Sequence, residues 1–233
     1  TRAVEGVERE FDAVRNPVQN ENYLVYMDAR PAGGGAIRVL DKTANKTRWL
    51  TDVRYGVPKL HLDGQYLCYT ARTDEQAAEL YVIDLAENRG LTLARFSGAQ
   101  YGASEPDMAG GVVVYANADA SGAGALEIAD IASGARETQH QRTLVHDPKL
   151  NGGFYAFLSG VHGPDADLYV MRKGAKAALA AQGVVDYALA SDYAVYALDG
   201  TICAFGLANG KTHALSETGA EAVLLAAGGN WAL

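Results

Sequence analysis

The chain has 233 residues, of which 48% are hydrophobic and 21% charged, so it is long enough to bury a substantial core in a single domain. Its formal net charge of -8 argues against nucleic-acid binding, because contacts to phosphate need a basic surface. No apolar run approaches the roughly 18 residues of a membrane span. We therefore expect a soluble globular protein.

A strand pattern that ends on an aromatic residue returns five times along the chain. In chain order its aromatic anchors are Tyr26, Tyr69, Tyr115, Phe157 and Tyr196. The intervals between them are 43, 46, 42 and 39 residues. A repeat of this length is typical of a propeller or a solenoid.

A second apolar stretch of strand length follows each anchor. These stretches are Ala36–Asp41, Glu79–Asp84, Ala125–Asp130, Asp167–Arg172 and Thr201–Gly206. Each is followed by turn residues and then by a third strand, as at Arg48–Thr51. Only the alanine-rich stretch Ala175–Ala181 could be read as helical, and its register favours an outer strand. Each repeat is therefore predicted to be an antiparallel meander.

A short inner strand is expected ahead of each anchor strand. Pro17, Pro106 and Pro148 each stand six residues before the first residue of an anchor tetrad. In the second repeat the dipeptide Asp63-Gly64 is a strong hairpin signal between the inner strand and the anchor strand. Each unit is thus predicted to be a blade of four strands.

The repeats resemble those of TolB-type propellers and of the amino-terminal propeller of prolyl oligopeptidases. The resemblance is carried by Glu105–Tyr115 and Leu62–Tyr69, each followed by a Leu-Tyr-Val-type strand, and it extends from about Glu10 to Leu233. It implies an all-β propeller in one domain, residues 1–233. The predicted blades are residues 16–57, 58–103, 104–145, 146–184 and 185–218, with a closing blade of 219–233 plus 1–15.

The chain ends suggest a sixth blade shared between the termini. Residues 11–15 align with an outer strand, whereas 222–225 and 228–233 align with an inner strand and the start of an anchor strand. Sharing would hide two sheet edges. This sixth unit is short, so either it has three strands or the chain is cut from something longer. An open ring would be expected to form oligomers through its edges.

Motifs for catalysis and cofactor binding are not found in the sequence. It has no Gly-x-Ser-x-Gly, no Gly-x-x-x-x-Gly-Lys-Ser/Thr phosphate loop, no dinucleotide Gly-x-Gly-x-x-Gly, no Cys-x-x-Cys and no His-Glu-x-x-His. His162–Asp167 has metal-friendly oxygens but is interpreted as a polar loop. Cys68 and Cys203 lie in different repeats and are expected to be free. We predict no catalytic residue, no metal and no cofactor.

Candidate binding residues come from positions where the repeats differ. The residues just before the inner strands are Asn16, Lys59, Glu105, Asp147, Asp186 and Val223. In a propeller such positions surround one mouth of the central channel, so Glu105, Asp147 and Asp186 would lie side by side and attract a cation or an amine. Simple exposure of polar residues to solvent is the alternative.

Two aromatic residues could stand at the same mouth. Tyr55 and Tyr101 occupy corresponding linkers just ahead of inner strands. They could stack on a ligand or pack between neighbouring blades, and the sequence leaves both open.

Two classes of function follow from this. The first is a non-catalytic binding module for a peptide, a protein or a surface glycan, belonging to a bacterial envelope or secreted protein. The second is the propeller of a peptidase-like or other hydrolase whose catalytic part lies outside this chain. The first is favoured because the fold itself carries no chemistry.

Overall fold

The structure is a computed structural model, and it describes residues 14–31, 33–97, 105–118, 124–141, 143–160, 166–216, 227–228 and 231–232. The chain divides into two compact units, residues 1–94 and 95–233. The predicted single domain stays a prediction, and the two units are described separately.

The first unit contains two four-stranded antiparallel sheets, each a meander in chain order. The first sheet consists of β1 (Val14–Gln19), β2 (Tyr23–Ala29), β3 (Gly35–Asp41) and β4 (Lys46–Val53). The second consists of β5 (Leu60–Asp63), β6 (Tyr66–Arg72), β7 (Ala77–Asp84) and β8 (Arg89–Ser97). The second unit begins within β8.

The second unit contains three more meanders of the same kind. Its first sheet consists of β9 (Asp107–Ala109), β10 (Val112–Ala118), β11 (Gly124–Asp130) and β12 (Arg136–His140). Its second consists of β13 (Val145–Asn151), β14 (Phe154–Ser159), β15 (Asp167–Arg172) and β16 (Ala178–Ala181), and its third of β17 (Tyr187–Leu189), β18 (Tyr193–Leu198), β19 (Thr201–Gly206) and β20 (Thr212–Ala214). The short strands β21 (Ala227–Gly228) and β22 (Trp231–Ala232) form a separate pair.

The predicted all-β class and the four-stranded repeat are confirmed. All five aromatic anchors are buried, with exposed fractions of 9% or less, because they lie on the central strands of their sheets. The outer strand predicted within Ala175–Ala181 is present as β16. Within residues 219–233, which were predicted to belong to the closing blade, the structure describes only β21 and β22. The residues predicted as strands at 11–13 and 222–225 lie outside the described residues.

The apolar core of each unit lies between neighbouring sheets. In the first unit, Val25 and Ile37 of the first sheet pack in one cluster with Leu67 and Tyr69 of the second. In the second unit, one cluster joins the sheets of β10 and β14, and another joins those of β14 and β18. Apolar residues recur at alternate positions along the strands, and this pattern produces the packing because successive side chains point to opposite faces of a sheet.

Two inner strands begin earlier than the sequence suggested. The sequence predicts Asn16 and Asp147 just before these strands and Pro17 and Pro148 at their start, but both dipeptides lie inside β1 and β13, where each forms a bulge. Asn16 and Asp147 have φ values of 47° each. Asn and Asp tolerate this left-handed conformation better than most residues. The bulge places the Asn or Asp side chain within the strand instead of at its start.

An aspartate closes the third strand of the first three sheets and caps the turn that follows. Asp84 accepts hydrogen bonds from the backbone N–H groups of Ala86 and Glu87 at 2.9 and 3.0 Å. Asp41 and Asp130 occupy the same position and accept N–H groups in the same way. Burial alone would raise the pKa of Asp84, but hydrogen bonds from Glu87, Gln65 and Ala86 lower it below its usual value.

Asp84→Ala is expected to lower the free energy of unfolding by about 1 kcal/mol at pH 7, since solvent competes for the turn. Asp84→Asn, which keeps the acceptor oxygen, should lose less. A lowered pKa means that the ionised Asp84 stabilises the fold above about pH 4 and that this stability is lost as the pH falls through the folded-state pKa. Urea unfolding at pH 7 and pH 3 measures both effects. Equal losses for Ala and Asn would contradict this account of the turn.

Among the described residues there is no helix long and apolar enough to cross a membrane. Neither Cys68 nor Cys203 is in a disulfide; Cys68 is buried and Cys203 is partly buried. Burial raises the pKa of the Cys203 thiol.

Candidate functional site

The inner strands β9, β13 and β17 of the second unit bring three aspartates around one tyrosine. Tyr187, at the start of β17, is 2% exposed. Its single hydroxyl hydrogen is shared between the backbone oxygens of Asp147 and Ala156, and its backbone N–H donates to Oδ1 of Asp186 at 2.7 Å. Oδ2 of Asp107 accepts the N–H of Leu150 at 3.0 Å, which links β9 to β13. These bonds tie three consecutive sheets together at their inner strands.

The charged side chains around Tyr187 are mainly acidic. Burial raises the pKa of Tyr187 well above its usual value, and the nearby carboxylates of Asp147, Asp107 and Asp186 raise it further. Lys149 places its Nζ atom 4.8 Å from the centre of the Tyr187 ring. The three aspartates therefore act on one buried phenol, and one lysine lies against its ring.

A buried histidine supports the bulge in β13. His146 is 2% exposed, and its Nδ1 atom lies 2.8 Å from Oδ2 of Asp147, whose side chain is 42% exposed. The Asp147 carboxylate is thus held on one side by the imidazole and open to solvent on the other. This arrangement fixes the carboxylate at the surface of the bulge.

The structure places the predicted site residues in different surroundings. Asp147 and Asp186 both lie close enough to Tyr187 for their charges to raise its pKa. Glu105 is exposed and lies two residues before Asp107, which takes the place beside Tyr187. The residues that sequence reasoning missed are Asp107 and Tyr187. We call Glu105, Asp107, Asp147 and Asp186 the acidic face.

Of the two predicted aromatic residues, one belongs to the first unit and the other lies outside the described residues. Tyr55 lies in the first unit, where it is half-buried and pairs with Arg72 through an isolated antiparallel bridge. The guanidinium carbon of Arg54 lies 5.1 Å from the centre of its ring. Tyr101 lies outside the described residues.

The acidic face has the chemistry of an electrostatic binding surface. Asp107 and Asp186 each accept backbone N–H groups, which orients their carboxylates while leaving further acceptor sites on each oxygen. Among the described residues, no group of three or more His, Cys, Asp or Glu side chains is arranged to hold a metal ion. His162 and Asp165 of the polar loop predicted at 162–167 lie outside those residues.

Comparison with known proteins gave results only at the level of structure. No protein-family model matches the chain, and no curated protein does. Among solved structures, one reported for two prolyl endopeptidases matches with a TM-score of 0.64 and 14% identity, over 88% of this chain and 36% of that chain. TolB from Acinetobacter baumannii matches with a TM-score of 0.54 and 14% identity, over 89% of this chain and 55% of that chain.

A third match is the β-propeller domain of the Trilobed protease from Pyrococcus furiosus, with a TM-score of 0.61 and 10% identity, over 87% of this chain and 70% of that chain. The chain therefore has the β-propeller fold, of the type found in TolB and in prolyl endopeptidase. It spans about a third of the length of the prolyl endopeptidase and about half that of TolB. These likenesses define the fold, and the function has to be argued from the residues.

Proposed function

We propose that this chain is a non-catalytic binding propeller that captures a cationic group of a protein or peptide on the acidic face. The observation that carries the proposal is the gathering of Asp107, Asp147 and Asp186 around Tyr187, with Glu105 exposed two residues before Asp107 along the chain. Carboxylates of like charge at one place focus a negative potential, which attracts lysine, arginine or a free amine. We propose a bacterial envelope or secreted protein as its context.

The position of the carboxylates supports an organic cation as ligand. Asp147 and Asp186 are partly or fully exposed, so their charges reach solvent. The buried phenol of Tyr187 and the backbone N–H groups hold the aspartates in place before a ligand arrives. A pre-arranged set of charges loses less freedom on binding, and affinity gains accordingly.

The test is calorimetric titration of the whole chain with Ac-Gly-Lys-Gly-NH₂ and Ac-Gly-Gln-Gly-NH₂ at low salt. The lysine peptide should bind and the glutamine peptide should not. The triple variant Glu105→Gln, Asp147→Asn, Asp186→Asn should weaken lysine-peptide binding by about tenfold or more, because each exposed charge contributes up to about 1 kcal/mol. Added salt should weaken binding by the wild type, since these charges are screened.

A matched control removes the same number of charges elsewhere in the second unit. Glu137→Gln, Asp192→Asn and Asp199→Asn together change the net charge equally and leave the acidic face intact. This control should bind the lysine peptide as the wild type does. Equal losses in both triple variants would reduce the effect to net charge and overturn the site.

A peptidase-like or other hydrolase context is the second candidate. It is favoured by the length of the match, since the chain covers only 36% of the prolyl endopeptidase that it resembles in fold. The full reading frame discriminates the two: a Gly-x-Ser-x-Gly hydrolase segment after this propeller would support the enzyme, and other modules would support binding.

A further inference from the structure

The first unit contains a cleft of about 530 Å³ between its two sheets. One wall is the outer strand β4 of the first sheet, and the other is formed by β6, β7 and the start of β8 of the second sheet. The volume falls within the range of about 300–1,000 Å³ that is typical of small-ligand sites. The cleft shares no residue with the acidic face, so the inference does not depend on the proposed function.

The middle of the cleft is aromatic and aliphatic. Tyr69 and Tyr81 stack with ring centres 5.3 Å apart, and Tyr81 is half-buried, so part of its surface remains accessible. Leu91, which also lines the cleft, is 53% exposed although it is a large apolar side chain. Leu50 on the facing strand is half-buried. Apolar surface left open inside a concave site favours a ligand with an apolar or ring-bearing body.

One end of the cleft carries positive charge. Arg54 and Arg72 both line it, and the backbones of Tyr55 and Arg72 pair through an isolated antiparallel bridge. Nη2 of Arg72 donates a hydrogen bond to the backbone oxygen of Glu75 at 3.3 Å, which uses one of its five N–H donors. Asp52 also lines the cleft, and its carboxylate pairs with Arg30 at 3.2 Å.

At the other end of the cleft, hydrogen bonds join the two sheets. Asn88 lines it, and Arg48 of β4 donates hydrogen bonds to the side-chain oxygen of Asn88 and to the backbone oxygen of Leu85. The Arg48 guanidinium therefore joins the two sheets. A ligand in the cleft would place its charged group at the Arg54 end and its apolar body over Tyr81.

We propose that this cleft binds a carboxylate with an apolar, ring-bearing body, whose charge is held by Arg54 and Arg72. The planar guanidinium groups suit a carboxylate because they can donate two parallel N–H bonds to its oxygens. The wall of Tyr81, Leu50 and Leu91 accommodates the ring. Such a group occurs at the carboxyl end of a peptide that ends in an aromatic residue, and in small aromatic acids.

The experiment is calorimetric titration of the whole chain at low salt with Ac-Gly-Gly-Phe, its carboxyl-terminal amide and 3-phenylpropionate. The peptide acid should bind at least tenfold more tightly than the amide, because only the acid offers a charged acceptor to the arginines. Tighter binding of the peptide acid than of 3-phenylpropionate identifies a peptide terminus as the source, and equal binding identifies a small acid. Failure of both acids to bind would overturn the proposal.

Arg54→Gln should weaken binding of the peptide acid by about tenfold and leave binding of the amide unchanged. The matched control is Arg15→Gln, which removes the same charge from an exposed residue of β1 outside the cleft. The control should bind as the wild type does. Equal losses in the two variants would assign the effect to net charge and contradict the site.

A second variant fills the cleft without touching the arginines. A Cβ atom at Gly90 would meet only Ile83, at 3.8 Å, and both residues line the cleft. Gly90→Leu should therefore fold and abolish binding of the peptide acid and of the amide alike. Retained binding in this variant would show that the ligand lies elsewhere. Because lysine-peptide binding should persist in Gly90→Leu, failure of the cleft and failure of the acidic face are distinguishable.

Discussion

Replacing Tyr187 with phenylalanine is expected to lower the free energy of unfolding by about 2 kcal/mol at pH 7. The ring would remain in the core, and Lys149 could still lie against it. The hydroxyl would be lost, and with it the hydrogen bonds to the backbone oxygens of Asp147 and Ala156. A buried acceptor left without its donor costs about 1–3 kcal/mol. The measurement is urea unfolding followed by circular dichroism.

The matched control is Tyr193→Phe on the neighbouring strand. Tyr193 is 40% exposed, so removal of its hydroxyl should change the stability by less than about 0.5 kcal/mol. Calorimetry with the lysine peptide adds a functional measure, since loss of the Tyr187 hydroxyl frees the bulge that carries Asp147. A Tyr187→Phe variant as stable as the wild type would show that the phenol does not hold the inner strands.

The stabilities of the wild type and of Tyr187→Phe should also depend differently on pH. The pKa of Tyr187 is raised on folding by burial and by the nearby aspartates, so its neutral form stabilises the fold at every pH below about 10. That stability is lost as the pH rises above the unfolded value towards the folded one. The difference in the free energy of unfolding between wild type and Tyr187→Phe should therefore shrink between pH 7 and pH 11. A constant difference would contradict the pKa shift.

The repeat in the sequence predicted the fold because alternation of apolar residues and turn chemistry act locally. Each Leu-Tyr-Val-type stretch forms the third strand of its sheet, and in the first three sheets an aspartate such as Asp84 ends that strand and caps the turn. The bounds of the inner strands were predicted less well. A proline reads as a break in a strand, but at Asp147-Pro148 the chain continues through a bulge instead.

The repeat alignment selected Asp147 and Asp186 because it compares corresponding positions of neighbouring repeats; that they form a binding site stays a prediction. Asp107 was missed because alignment on Pro106 selected the residue before the proline, Glu105, whereas the side chain beside Tyr187 comes from the residue after it. In the sequence Tyr187 looks like any other strand residue, since only the fold brings its hydroxyl to the backbone oxygens of Asp147 and Ala156 on β13 and β14.

The cleft of the first unit could not be predicted from the sequence. Its residues come from four strands, and Arg54 and Arg72 are far apart along the chain. Their proximity depends on the bridge between Tyr55 and Arg72, which no local pattern encodes. Tyr55, predicted as a partner of the acidic residues, pairs with Arg72 of the cleft; its role beside the acidic residues stays a prediction.

Gly124→Ala is expected to lower the free energy of unfolding by about 3 kcal/mol. Gly124 begins β11, and its backbone lies against the chain that leads into β13, with its N–H donating to the oxygen of Thr143 at 3.1 Å. A Cβ atom there would lie 2.4 Å from the nitrogen of Val145 and 2.5 Å from the oxygen of Thr143. Both are backbone atoms, so the strands themselves would have to separate.

Gly90→Ala is the matched control, because its Cβ atom would meet only the Ile83 side chain at 3.8 Å, an ordinary contact. This variant should be as stable as the wild type or slightly more stable, since alanine restricts the unfolded chain. Urea unfolding of both variants measures the difference, and equal stabilities would show that β11 and β13 can separate at little cost.

The Gly124 variant also links packing to binding. β13 carries Asp147 at its bulge, two residues after Val145, so a displaced β13 moves one carboxylate of the acidic face away from Tyr187. Gly124→Ala should therefore bind the lysine peptide several-fold more weakly even where it remains folded, whereas Gly90→Ala should bind it as the wild type does. Unchanged lysine-peptide binding in a destabilised Gly124→Ala protein would mean that the face does not depend on how β13 is held.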